Sequence, residues 1–397
     1  IDLSSISLRL KPFGFSILGE TLNDRRTSKT ITLWQRSPCT WRVGIGRGIK
    51  MKTNSRTSSN ITQKFTTIFS FASVFFISSL TAKSFVKFHT SKYNALVEAA
   101  HGVLSHKPHW LAYQNRLLAP YSVYGISLFG IPFEKALMVF YVLAIFAQTI
   151  ILYVLLLKYT NNNFSLSILY VIFFSFMFIG IQHSWFYTWD SLEIIFFILF
   201  SWGIWRKKTT LYFVALFFIA LTNKESAIFI AVFLIVDAFQ FQNQEDSFFP
   251  AIKLSSVAKL VTGSCLTFFG VAYTKLVRDY LFIVSSKPDL GDDSSHRVLG
   301  NHLTLPENLQ AFFSGNLLST DIINSLFLIG LVVYLLWSFD RFEEQDYKAF
   351  IIIMLIIISI FLFGLINETR IYAPLLPFIL FFHLRQHQEQ IDHKTVA

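Results

Sequence analysis

Ala136–Leu157 reads ALMVFYVLAIFAQTIILYVLLL and holds no charged residue. A helix rises about 1.5 Å per residue, so about 20 apolar residues are needed to cross the ~30 Å hydrocarbon core of a bilayer. This run is long enough. Apolar runs recur on both sides of it, at 65–82, 164–182, 191–205, 209–222, 226–239, 257–274, 323–339, 348–366 and 370–383. The pattern predicts an all-α fold: a polytopic transmembrane helical bundle of about ten spans, with outer-face loops and short interfacial helices.

Composition agrees. Hydrophobic residues make up 53% of the 397-residue chain and charged residues 15%, with a mean hydropathy of +0.51. Soluble domains carry about 25% charged residues, so these charges are too few to cover a soluble globule, and lipid is the natural solvent for the rest. The 45 phenylalanines fit lipid-facing helices. The net charge of +10 comes from basic residues flanking the apolar runs. Membrane orientation requires that arrangement, which points to the bilayer as partner and away from nucleic acid. Two cysteines, Cys39 and Cys265, supply neither a disulfide framework nor a cysteine metal site.

Residues 1–50 are polar and basic without sustained periodicity, and the first Met is Met51. They are expected to be a non-native upstream or disordered segment outside the fold; a mature N-terminus mapped by mass spectrometry before Met51 would refute this. A basic tail over 51–64, with Lys52, Arg56 and Lys64, then leads into Phe65–Ala82. No clear small-x-small cleavage site marks that run, so it is expected to stay as an anchor. The membrane domain is expected over 65–385.

Three runs are short: 191–205, 209–222 and 226–239. Fourteen helical residues reach only about 21 Å. Such segments thin the bilayer, or stop part-way and line a wet cavity. The last two are counted as two spans, with one long broken helix as the alternative. The basic turn Arg206-Lys207-Lys208 is expected on the cytoplasmic side. Ten spans then bring both tails, 51–64 and 386–397, to that side; because the chain from Met51 reads like a bacterial start, the expected location is a bacterial inner membrane.

On this topology the unusual polar residues converge on the outer face. It holds the loops 83–135 and 275–322 and the turns 182–190, 222–226 and 367–370. Together these carry Asp190, Glu193, Lys224, Glu225, Glu368 and Arg370. Asp190 and Glu193, three apart, share one helical face. Carboxylates supply a general base or metal ligands, and Arg or Lys holds a phosphate. The same residues also read as helix-end ion pairs that fix packing, and the two readings stay open side by side. In the first outer loop, Tyr93–Leu104 reads as an amphipathic helix. His101, His106 and His109 have no spacing that fits a tight metal site. No metal ligand is assigned; a divalent metal fits the carboxylates but is not indicated, and the cofactor is left open.

Four elements carry a resemblance. They are Arg116-Leu117-Leu118-Ala119-Pro120 in the first outer loop, the aromatic-Asp turn Tyr187-Thr188-Trp189-Asp190, the turn Asn223-Lys224-Glu225-Ser226, and Glu368-Thr369-Arg370 ahead of Pro374 and Pro377. In this order they resemble the GT-C type of polytopic membrane glycosyltransferase, over roughly residues 65–385. The resemblance implies transfer of a sugar from a polyprenyl-phosphate donor on the outer face of the membrane. GT-C enzymes typically place an acidic motif with Asp in the first outer loop. Here residues 83–135 contain no Asp, and their acids are Glu98 and Glu134. The resemblance therefore implies Asp190, Glu225 and Glu98 as catalytic carboxylates. It implies Arg116, Arg370 and Lys224 for the donor phosphate, and Glu193 and Glu368 in support. A transporter or flippase for lipid-linked sugars, or a non-catalytic membrane scaffold, would use the same composition.

Overall fold

The computed structural model describes residues 55–106, 115–181, 186–244, 247–281, 303–313, 320–364 and 368–396. The expectations for residues 1–50, for Met51–Asn54, for His109 and for most of the loop 275–322 lie outside them.

The chain opens with α1 (Ser55–His89) and α2 (Tyr93–Leu104), followed by α3 (Leu118–Ser127), α4 (Phe133–Tyr159) and α5 (Phe164–Gly180). Then come α6 (Thr188–Trp205), α7 (Thr210–Leu221) and α8 (Ile228–Val236), the last entered through a 3₁₀ turn at Glu225–Ala227. A hairpin of β1 (Phe239–Gln244) and β2 (Ser247–Leu254) precedes α9 (Val257–Tyr280). After α10 (Leu305–Phe313) the chain continues through α11 (Thr320–Trp337), α12 (Glu344–Phe363) and α13 (Leu375–Val396).

Among the described residues, five helical segments are long and apolar enough to cross a membrane: Lys64–Leu104, Phe133–Tyr159, Thr188–Trp205, Val257–Tyr280 and Glu344–Phe363. Four more apolar helices are shorter: Phe164–Gly180, Thr210–Leu221, Glu225–Val236 and Leu326–Trp337. These five, with the four shorter ones, stand where about ten spans are expected, and hydrophobic runs that look alike in sequence differ in helix length because they end at different caps. The run 226–239 stops at Val236, where Asp237 closes the helix and Phe239 already pairs with Leu254 in an antiparallel strand. That hairpin corrects the all-α expectation; alternating Phe239, Phe241 and Gln residues carry the period of a strand. Residues 209–222 and 226–239 are not one long helix. The Phe213 ring, early in α7, lies 4.7 Å from that of Phe233, late in α8, so the two fold back as a helical hairpin. The expected first outer loop is largely helical, with α1 running on to His89, and the expected tail 386–397 lies within α13 up to Val396.

Helix ends follow local chemistry. Asn163 caps α5 by accepting from Leu166 N at 3.0 Å, and Ser256 caps α9 by accepting from Lys259 N at 3.3 Å. The centre of the bundle is α6: 83% of its residues are buried, against 28% in the apolar stretch of the first span and 22% in that of α9. It packs on α3, α4, α7, α12 and α13. Its Phe197 and Phe200 meet Phe213, Phe233 and Phe378 edge-on. Phe65, Phe69, Phe75 and Phe76 instead point outward from α1, as lipid-facing residues would. The phenylalanines therefore serve both the core and the periphery.

Candidate functional site

The turn after α7 builds the site. Thr222 O accepts from both Leu117 N and Leu118 N at 2.9 Å, so the segment before α3 is pinned to the α7–α8 turn. Pro120 sits in the first turn of α3, where its missing N–H leaves no bond unmade. Asn223 Nδ2 donates to Trp189 O at 2.8 Å, which fixes the same turn to the start of α6. Asp190 Oδ2 accepts from Tyr187 N at 3.0 Å and so caps α6 from its first turn, where the helix dipole favours an anion.

Charges then interlock. Lys224 Nζ lies 3.0 Å from Asp190 Oδ1 and 2.6 Å from Glu193 Oε2, and Ser226 donates to the other oxygen of Glu193. Arg370, in the 3₁₀ turn Thr369–Tyr372, reaches Asp190 Oδ2 at 3.0 Å and Glu368 Oε2 at 2.9 Å. Arg116 Nη2 reaches Glu225 Oε1 at 2.9 Å, and Asn115 Nδ2 donates to Oε2 at 3.0 Å. The two aromatics of the Asp turn carry the arginines. The Arg370 guanidinium lies 4.7 Å from the Tyr187 ring and that of Arg116 lies 5.0 Å from the Trp189 ring. Burial opposes the charged form of Lys224, but Asp190 and Glu193 outweigh it and hold its ammonium above the usual 10.5.

The structure thus brings together seven of the eight expected residues: Arg116, Asp190, Glu193, Lys224, Glu225, Glu368 and Arg370. Glu98 does not join them; it stands on the exposed side of α2, whose buried side carries Leu96, Ala99, Ala100 and Val103. Proximity in a loop was the argument for Glu98, and the helical period turns it away. Arg278, near the end of α9, joins the cluster instead, donating from Nη2 to Asn115 Oδ1 at 3.2 Å. Its lone position in a long expected loop gave no signal. Exposure separates the carboxylates. Asp190 and Glu193 side chains are 2% and 3% exposed, whereas Glu225 and Glu368 are 35% and 30% exposed and form the reachable rim.

Among the described residues no three His, Cys, Asp or Glu side chains gather as a metal site. A second charged group lies at the far end of α6. Lys259 and Lys348 both hold Asp237 at 2.7 Å, and Trp205 Nε1 donates to Asp346 at 3.0 Å. Compared with protein-family models, curated proteins and solved structures, the chain matches none of them.

Proposed function

We propose that the chain is a membrane glycosyltransferase that takes a sugar from a polyprenyl-phosphate donor at the cluster around Lys224. The observation that carries this reading is the meeting of arginines and rim carboxylates from five separate parts of the chain at one end of the most buried helix. Charged side chains at membrane depth are costly unless paired and are commonly functional. The buried Arg278 Nε and Thr369 hydroxyl have no hydrogen-bond partner among the described residues, and both suit an anion.

In this mechanism the acceptor hydroxyl attacks the anomeric carbon while the bond from that carbon to the phosphate oxygen breaks. The leaving phosphate keeps the electron pair and is met by Arg116, Arg278 and Arg370, whose planar guanidinium groups suit it. The hydroxyl proton passes to a carboxylate. We place that role on Glu225 rather than Asp190, because Glu225 is reachable and Asp190 is enclosed between Lys224 and Arg370. Asp190 and Glu193 then position the cations.

A second reading, a non-catalytic scaffold, is favoured by one observation: Arg116, Lys224 and Arg370 are each paired with a carboxylate of the same cluster. One experiment separates them. Membranes carrying the protein are assayed for transfer from a labelled polyprenyl-phosphate sugar. Glu225→Gln is expected to lower transfer by about 10²–10⁴-fold, more than the thermal destabilisation from leaving Arg116 without its carboxylate accounts for. Wild-type transfer by Glu225→Gln, or none by the wild type, would remove the enzyme reading.

A further inference from the structure

At the end of α6 away from this cluster lies a hollow of about 200 Å³ lined by Lys207, Lys208, Asp237, Lys259, Glu344 and Lys348, with Phe213 and Phe233 among its apolar walls. Four lysines face two carboxylates, leaving an excess of two positive charges. The carboxylates are already engaged. Asp237 is held by Lys259 and Lys348, and Glu344 by Lys348, each at 2.7 Å. Lys348 is 4% exposed and so fixes the floor of the hollow. Lys207 and Lys208 stand exposed at the rim and have no ion pair among the described residues. Their backbone is set for this. Lys207 adopts φ +49°, a conformation rare for a side chain of its kind, and the N–H groups of Lys207 and Lys208 close the end of α6 by donating to Ile204 O and Gly203 O. The Lys208 ammonium rests 4.5 Å from the Trp202 ring.

We propose that this hollow binds a phosphate-bearing anion, such as the headgroup of an anionic phospholipid, through Lys207 and Lys208. An excess of lysine beside apolar walls at the end of membrane helices is the chemistry that holds such headgroups. The site is separate from the cluster around Lys224: Asp190 and Trp205 stand fifteen residues apart on α6, about 22 Å.

The test uses the full chain in nanodiscs of phosphatidylcholine. One arm adds phosphatidylglycerol and counts retained lipid by native mass spectrometry; the other adds inorganic phosphate and follows thermal unfolding. Lys207→Ser/Lys208→Ser is compared with Lys207→Arg/Lys208→Arg and the wild type. Two surface lysines correspond to about 30-fold in affinity for an anionic headgroup, so the serine variant is expected to lose retention by that factor while the arginine variant keeps it. A wild-type response in the lipid arm assigns the headgroup as the ligand, and a response in the phosphate arm assigns a soluble anion. If the wild type retains phosphatidylglycerol no better than phosphatidylcholine and ignores phosphate, or if the serine variant matches it in both arms, the proposal is overturned.

Discussion

Lys224→Met removes the ammonium that bridges Asp190 and Glu193 at 3.0 and 2.6 Å while keeping most of the side chain's bulk. The two carboxylates fare differently. Asp190 keeps Arg370 at 3.0 Å and the Tyr187 N–H. Glu193 is left, among the described residues, with the Ser226 hydroxyl alone, and its side chain is 3% exposed. Removing one partner of a buried ion pair costs about 3–5 kcal/mol, because a charge stays buried without compensation. The hydroxyl offsets part of that, so we expect a loss of about 3 kcal/mol. Unfolding by SDS in mixed micelles, followed by tryptophan fluorescence, measures it. Lys224→Met/Glu193→Gln should recover about 1–2 kcal/mol, since a neutral amide can still accept from Ser226. A single-variant loss below about 1 kcal/mol, the worth of an exposed pair, or no recovery in the double variant, would refute the reasoning.

Three further outcomes are expected. Gly263→Ala sets a Cβ 2.7 Å from Ile235 N and 2.9 Å from Ala231 O, so α8 and α9 must part, at a cost of about 1–3 kcal/mol; Gly330→Ala, which meets nothing within 4 Å, should show no such loss in the same unfolding assay. Trp205→Phe removes the 3.0 Å bond to the buried Asp346 and should destabilise by about 1–3 kcal/mol, read as a lower thermal midpoint. Because the folded Lys224 titrates above its ordinary 10.5, its contribution is complete below that value and is lost as pH rises through the folded one. An alkaline unfolding limb that persists unchanged in Lys224→Met would contradict this.

Hydrophobic runs made the membrane class and most helix positions legible, and the amphipathic pattern of Tyr93–Leu104 matches α2 to the residue. The number of spans was less legible. Length in sequence does not reveal where a cap intervenes, as Asp237 does at the end of α8. The hairpin of β1 and β2 lies between two apolar runs, and the alternation Phe239-Gln240-Phe241-Gln242 is too short a signal to separate a strand from a loop. The charge cluster was legible because turns that alternate between two faces must meet on one of them. Arg278 was not: its neighbours in space, Asn115 and Glu225, are remote in sequence, and no local pattern distinguishes it from a helix-end arginine.

The short helices explain why the cluster forms where it does. At about 1.5 Å per residue, α7 with its 12 residues and α8 with its 9 reach about 18 and 14 Å, less than a hydrocarbon core. Their connecting turn therefore ends level with the first turn of α6, and Thr222 O is there to accept from Leu117 and Leu118. Longer helices would carry Lys224 past Asp190 and Glu193 into water, where an ion pair is worth little. Held at this depth, the lysine has two carboxylates to neutralise and a hydroxyl beside it. Any displacement of the hairpin along α6 breaks those contacts together. The charges thus fix the register of the hairpin against the central helix, and the same register leaves Glu225 and Glu368 at the rim.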